Sequence, residues 1–307
     1  MGRRNKRGRA VHGILLLDKP AGMSSNRALQ GAKRLFDAAR AGHTGSLDPL
    51  ATGLLPICLG EATKVSAFLL EADKRYRFTA RLGETTDTGD ADGELLATSA
   101  VGDIDSVRIE AVLDGLRGEI EQLPPMHSAL KHAGRPLYEY ARRGIDVQRS
   151  PRPTIIHRLD LLAFDGCDAR FEVHCAKGTY VRTLAEDLGA ALGCGAHVTV
   201  LRRIGAGPFD DDALVTLDRL EADAAGDEGG PQRLDRHLLP VDSALMAWPR
   251  VDLGPDLAAF IRQGQAVQVP RAPTAGLVRM YGGDAGFLGM GRIASDGRVA
   301  PKRLMNL

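Results

Sequence analysis

The spacing of apolar and polar residues changes several times along the chain, and each change marks an element. Residues 13–17 and 54–59 are short continuous apolar runs that predict buried strands. Between them, after the Asp18-Lys19-Pro20-Ala21-Gly22 turn, Ser24 or Ser25 can cap a helix carrying Ala28, Leu29, Ala32, Leu35 and Phe36 at helical spacing. Residues 61–70 repeat that spacing, with Ala62, Val65, Phe68 and Leu69 inward. From Arg75 the period falls to two: Tyr76, Phe78, Ala80 and Leu82 take one face, and Arg75, Arg77, Thr79 and Arg81 the other, as in a half-buried strand. Residues 109–116 predict another helix. Residues 170–176 alternate again, with Phe171, Val173 and Cys175 together. A helix then starts at Thr179, with Val181, Leu184, Ala185 and Leu188 inward and Tyr180 and Arg182 in its first turn, off that stripe. A further strand spans residues 198–204. Strands interleaved with helices and joined by hairpin-like turns imply an α+β class built on a mixed, mainly antiparallel sheet.

With 307 residues, the chain can form one large domain and a smaller one. A basic arm occupies residues 1–10 and the main domain residues 11–237. From residue 238 to 307 the sequence becomes a small β-rich domain, Gly-rich with short alternating strands from about Trp248. Residues 124–153 are proline-bounded, basic and dotted with Tyr138 and Tyr140, which reads as an excursion from the core; excursions of this length usually carry function. An acidic, Gly-rich segment covers residues 210–231, with a linker at 222–231.

The net charge is only +1, from 40 Lys+Arg against 39 Asp+Glu, so total charge gives no nucleic-acid signature. Distribution matters more: Lys131, Arg135, Arg142, Arg143, Arg149 and Arg152 gather in the excursion, where they could track phosphates or simply form a solvated face. No apolar run reaches bilayer length and the basic N-terminus lacks a signal-peptide core, so no membrane association and a cytoplasmic location are expected. Cys58, Cys167, Cys175 and Cys194 form no CxxC pair, which predicts buried reduced thiols and no metal site.

The chemistry concentrates in Gly42-His43-Thr44-Gly45-Ser46-Leu47-Asp48-Pro49-Leu50-Ala51-Thr52-Gly53, where one carboxylate stands on a glycine-bracketed loop with no acid beside it. An Asp that attacks carbon must be ionised, accessible and aimed, and Gly45, Pro49 and Gly53 supply tight turns; a plain Asp-Pro turn is the bland alternative. The acidic stretch at residues 86–94 resembles a calcium loop only superficially, because its alignment puts Thr88 at the first ligand position and Ser99 where a bidentate Glu belongs, so a hairpin-like turn is expected. Neither a GxxxxGK[ST] loop nor a strand-borne GxGxxG is present, which sets aside nucleotide hydrolysis and dinucleotide redox chemistry.

Nearly end to end, these motifs resemble the TruB family of bacterial tRNA pseudouridine-55 synthases. The resemblance rests on Leu17-Asp18-Lys19-Pro20-Ala21-Gly22-Met23-Ser24-Ser25, the Asp48 loop, Lys74-Arg75-Tyr76, the acidic turn at 86–93, Lys177-Gly178-Thr179-Tyr180-Val181-Arg182 and Leu201-Arg202-Arg203-Ile204-Gly205, in that order. The tail from Gly289 is similar to that family's PUA-like module. Ser46 stands where the family usually has Thr, and the basic arm and the 222–231 insert are not family features. The resemblance implies a pseudouridine synthase fold and conversion of uridine 55 in the tRNA T loop to its C-glycoside isomer. It makes Asp48 the nucleophile, steadied by Arg182, with Tyr76 stacking on the extruded uracil and assisting C5 proton removal. Tyr180 and Leu201 would line the pocket, Lys19 support its edge and His43 contact the RNA loop. Extrusion of the base costs roughly a few kcal/mol. No cofactor is required, and the partner is tRNA, gripped at the T stem-loop by the excursion and at the acceptor end by the C-terminal module, with a monomer and no obligate protein partner expected. Two other classes fit parts of the sequence: a non-catalytic RNA-binding or tRNA-folding module, against which the intact Asp48, Tyr76 and Arg182 argue, and a guide-RNA-dependent relative in a ribonucleoprotein, against which the long basic excursion argues.

Overall fold

A computed structural model describes residues 8–225, 230–283 and 286–307. Most of the basic arm and the middle of the 222–231 linker therefore lie outside the described residues. The central feature is a ten-stranded mixed sheet. Its main path runs Leu238–Leu239, Gly13–Lys19, Thr52–Leu59, Ala196–Ala206, Lys74–Leu82, Asp168–Cys175, Arg152–Phe164, Gly118–Gln122, with Ala41–His43 and Phe209–Asp210 paired off the path. All of these pairings are antiparallel except Thr52–Leu59 with Ala196–Ala206.

Continuous apolar runs became strands covered on both faces. In Thr52–Leu59, Leu55, Ile57 and Leu59 join the core beneath the helix Ser25–Leu35, while Leu54 and Cys58 join a second core with Ile14 and Leu16. Ser24 caps that helix by accepting from the Arg27 N–H. The alternating strands are half-polar as expected: Phe78 and Phe171 are buried and stacked, their ring centroids 5.0 Å apart, while Arg77 and Glu172 pair on the opposite face.

Several expectations change. The segment expected as one helix at 61–70 is a tight 3₁₀ turn at Gly60–Lys64 followed by a short helix at Ser66–Glu71. Arg152–Phe164 and Gly118–Gln122 are strands that periodicity did not reveal. In the longer one only Thr154, Ile156 and Leu159 are buried, and a bulge between Ile156 and Arg158 breaks the alternation on which a strand is recognised. Cys167 is exposed on the turn after that strand, although Cys58, Cys175 and Cys194 are buried. The expected start of the second domain at residue 238 also shifts. Leu238–Leu239 pairs with Gly13–Lys19, and Val241, Ala244 and Leu245 share a core with Ile14 and Leu16, because that edge of the first sheet needs covering. The smaller sheet consists of Arg250–Leu253, Leu277–Gly282, Phe287–Ile293 and Val299–Leu304, covered by the helix Pro255–Arg262 through Ala258 and Ile261.

The helix Val181–Leu192 buries Leu184, Ala185 and Leu188 and runs straight into the next strand through Gly193, whose φ of 83° is left-handed. Gly189 permits the contact between the two: a Cβ there would lie 2.2 Å from the Ala196 backbone nitrogen. A Gly189→Ala substitution is therefore expected to lower stability by about 1–3 kcal/mol through overpacking, measured by urea unfolding. A variant as stable as the parent would show that the helix is not pinned at this point.

Candidate active site

The Asp48 loop is held from three sides by groups that satisfy its backbone. Ser25, expected only as a possible helix cap, accepts from the Leu47 N–H at 2.7 Å and donates to the Leu47 carbonyl at 3.0 Å. From below, the Lys19 ammonium donates to the carbonyls of Pro20 (2.9 Å), Met23 (2.6 Å) and Pro49 (3.3 Å). Lys19 is fully buried, and burial lowers its pKa to about 8, with the Asp48 charge opposing the drop. Arg203, also buried, donates to the carbonyls of Leu54 (2.7 Å) and Gly45 (3.2 Å). Gly53 takes a φ of 95° against that strand, where a Cβ would sit 2.4 Å from the Arg203 carbonyl oxygen.

Asp48 itself faces a guanidinium. Arg182 Nε lies 3.0 Å from Asp48 Oδ2 and 3.6 Å from Asp90 Oδ2, while its two terminal nitrogens donate to the carbonyls of Thr88 (2.8 Å) and His127 (2.7 Å). Although it stands off the apolar stripe of its helix, Arg182 is buried, at 5% side-chain exposure, while Asp48 keeps 37%. Asp90 is oriented in turn: it accepts from the Thr88 hydroxyl at 2.6 Å and the Asp92 N–H at 3.2 Å. Its hairpin turn docks on the central sheet through hydrogen bonds between Gly89, Ala91 and Val198. The acidic stretch is therefore a structural hairpin that delivers a second carboxylate to Arg182.

Asp48, Tyr76, Tyr180, Arg182 and Leu201 line one cavity of about 310 Å³, together with Lys74 and Arg203. The size lies in the range of small-molecule sites. Gln122 fixes the Tyr180 peptide, accepting from its N–H at 2.9 Å and donating to its carbonyl at 3.2 Å. Burial raises the Tyr76 phenol pKa, partly offset by Arg203, so the phenol is neutral near pH 7. Lys74 is buried with its ammonium donated to the carbonyls of Leu69, Leu70 and Ala72, and burial lowers its pKa to about 8. A second cavity of about 530 Å³ shares Asp48 and Arg182 and is lined by His43, Asp90, His127, Tyr138 and Arg142. Burial, then the Arg203 charge, lowers the His43 pKa, and its Nδ1 has no hydrogen-bond partner among the described residues. Of the residues singled out from sequence, Lys19 alone lines neither cavity: it braces the loop from beneath. Asp90, Ser25, Arg203 and Gln122 were not singled out as site residues; only the motifs around the first three carried a signal.

A profile described as "TruB family pseudouridylate synthase (N terminal domain)" matches residues 33–181. The "tRNA pseudouridylate synthase B C-terminal domain" matches residues 182–246, and "Pseudouridine synthase II TruB, C-terminal" residues 249–305. A protein of Tolumonas auensis named tRNA pseudouridine synthase B is 54% identical over 99% of this chain and 95% of its own length. One of the same name from Aeromonas salmonicida is 55% identical over 99% and 96%. The chain belongs to the bacterial TruB family of pseudouridine synthases. Among solved structures, a Cbf5-Nop10-Gar1 complex shares the TruB fold with a TM-score of 0.72 and 27% identity over 95% of this chain and 84% of that one. An archaeal box H/ACA sRNP Nop10-Cbf5 complex has a TM-score of 0.71 and 25% identity over 99% and 92%.

Within this TruB site, two effects compete on the Asp48 carboxyl. Burial pushes its pKa up and wins; the Arg182 charge pulls it down, Asp90 adds to the rise, and the Arg182 hydrogen bond and Lys19 charge oppose it. A carboxyl whose folded pKa is raised binds its proton more tightly folded than unfolded, so stability is lost as pH rises through the folded value. Asp48→Asn should consequently be more stable than the parent to urea at pH 7.5, with the difference fading below about pH 4, the ordinary aspartate value. A less stable variant at pH 7.5 would contradict this balance.

Proposed function

We propose that this synthase converts uridine 55 in the T loop of tRNA into pseudouridine, with the Asp48 carboxylate forming a transient bond to the extruded nucleotide. The observation that carries the reading is the placement of a partly exposed Asp48, 3.0 Å from a buried Arg182, on a cavity walled by Tyr76, Tyr180 and Leu201. The names and near-complete coverage of the relatives support tRNA as the substrate.

In this reading the N1–C1′ bond breaks, the base turns, a C5–C1′ bond forms, the C5 proton leaves and N1 gains one. Oxidation state is unchanged and no group donor enters, so the chemistry calls for no cofactor. An ionised oxygen on Asp48 supplies the nucleophile: attack on C6 of the base or on C1′ of the sugar forms an adduct at the atom attacked, and that O–C bond breaks again before the product leaves, which regenerates the carboxylate. Arg182 keeps that oxygen charged and restricts its rotamers. Tyr76 stacks on the extruded base, with its hydroxyl available for the late C5 proton transfer. The second cavity accommodates neighbouring loop nucleotides beside His43, where the Arg142 guanidinium lies 5.3 Å from the Tyr138 ring centroid, a cationic and aromatic surface suited to splayed bases. Exposed Lys131, Arg135, Arg142 and Arg143 extend it along the T stem, and the smaller sheet reaches toward the acceptor end. The chain works as a cytoplasmic monomer without an obligate protein partner.

The test uses purified protein and naked tRNA labelled with tritium at C5 of uridine. The parent should release tritium and leave a carbodiimide-reactive base at position 55, and Asp48→Ala should abolish release while tRNA affinity stays within about threefold. Release by the variant would remove Asp48 from the chemistry. A requirement for an added guide RNA would instead indicate the ribonucleoprotein mode.

A further inference from the structure

We propose that Asp73, His157 and His174 form a binding site for a divalent transition-metal ion of the zinc class, on the face of the central sheet opposite the active-site cavity. The three residues are far apart in sequence, and no spacing motif links them; the sheet assembles them. Asp73 immediately precedes the strand Lys74–Leu82, His174 lies in the neighbouring strand opposite Arg75, and His157 comes from the next strand out. Side chains alternate along a strand, so Asp73, Arg75 and His174 share one face while Lys74 and Tyr76 line the active cavity on the other.

His157 reaches this face because of the bulge. The register steps from Ile156 opposite Cys175 to Arg158 opposite His174, leaving His157 as the extra residue and turning it toward His174. The two imidazole rings lie 4.8 Å apart, and Asp73 Oδ2 sits 3.2 Å from His157 Nε2 and 3.7 Å from His174 Nε2. All three potential ligand atoms fall within 4.8 Å of one another. A tetrahedral ion with bonds of about 2.0–2.1 Å holds its ligand atoms roughly 3.3 Å apart, so two separations already suit it and side-chain rotation closes the third.

The chemistry of the donors agrees. Two imidazoles and one carboxylate are a borderline nitrogen and oxygen set that selects zinc-class ions over calcium or magnesium. Among the described residues, the ion-pair contacts of these side chains are with one another. Asp73 and His174 also border a cavity of about 520 Å³ with Arg75, Phe68 and Trp248, which leaves room for a water or anionic-oxygen ligand. The other reading of the same geometry is a carboxylate between imidazoles with no ion.

The two are separated by titrating metal-stripped, full-length protein with Co²⁺, followed by its visible absorption, and then displacing it with Zn²⁺. The site predicts about one equivalent of Co²⁺ bound at micromolar concentration with tetrahedral-type bands. Affinity should fall at least about tenfold in both His157→Ala and His174→Ala and stay unchanged in Cys167→Ser, which removes the exposed thiol. Retention of isomerase activity by the histidine variants checks their fold, because the cluster lies outside the catalytic cavity. Absence of saturable binding, or binding that survives His174→Ala or depends on Cys167, would overturn the proposal.

Discussion

Everything at the candidate active site depends on the Arg182 guanidinium. It is almost fully buried, and a buried charge is costly unless each of its donors is used. Here each of its three nitrogens is engaged, and three pieces of chain supply the partners: Asp48 from the glycine-bracketed loop, Asp90 and Thr88 from the hairpin, and His127 from the basic excursion. One side chain at the start of a helix thus ties together three segments of the chain. Removing it would leave two carboxylates facing each other with no cation between them, and the loop would lose the contact that aims Asp48.

The remainder of the fold serves that arrangement. The parallel pairing of Thr52 and Gly53 with Arg202 and Arg203 brings the loop's exit beside Arg203, whose guanidinium reaches back to Gly45 at the loop's entry. Lys19 and Ser25 close the other two sides. The loop is therefore rigid for the usual reason that buried backbone polar groups must be paired, and its single acidic side chain is left as the element free to meet substrate. The raised Asp48 pKa follows from the same enclosure: a site dry enough to strengthen electrostatics also resists ionisation, and Arg182 limits that resistance.

Much of this could be read in the sequence because it rests on local patterns. The strands at Gly13–Lys19, Thr52–Leu59, Lys74–Leu82 and Asp168–Cys175 announce themselves by apolar runs or strict alternation. Asp48 stands out through the glycines around it. What escaped depends on tertiary placement. Helical periodicity places Arg182 only off the apolar stripe; the family resemblance pairs it with Asp48, and nothing in the sequence singles out the second carboxylate brought to it from residue 90. Asp90 is hidden in a run of acids, and the way Lys19 supports the site emerges only when three carbonyls are found around its ammonium. The bulge at His157 conceals Arg152–Phe164 as a strand and, by the same displacement, creates the histidine pair behind the active cavity.

The central claim is that Arg182 holds Asp48 in its charged, aimed form. The ¹³C shift of the Asp48 side-chain carboxyl, followed through a pH titration of selectively labelled protein and its Arg182→Met variant, tests this at the atom concerned. The account predicts a higher titration midpoint in the variant, because burial then acts without its main opposing charge. Coincident midpoints would mean that the guanidinium does not govern the carboxylate.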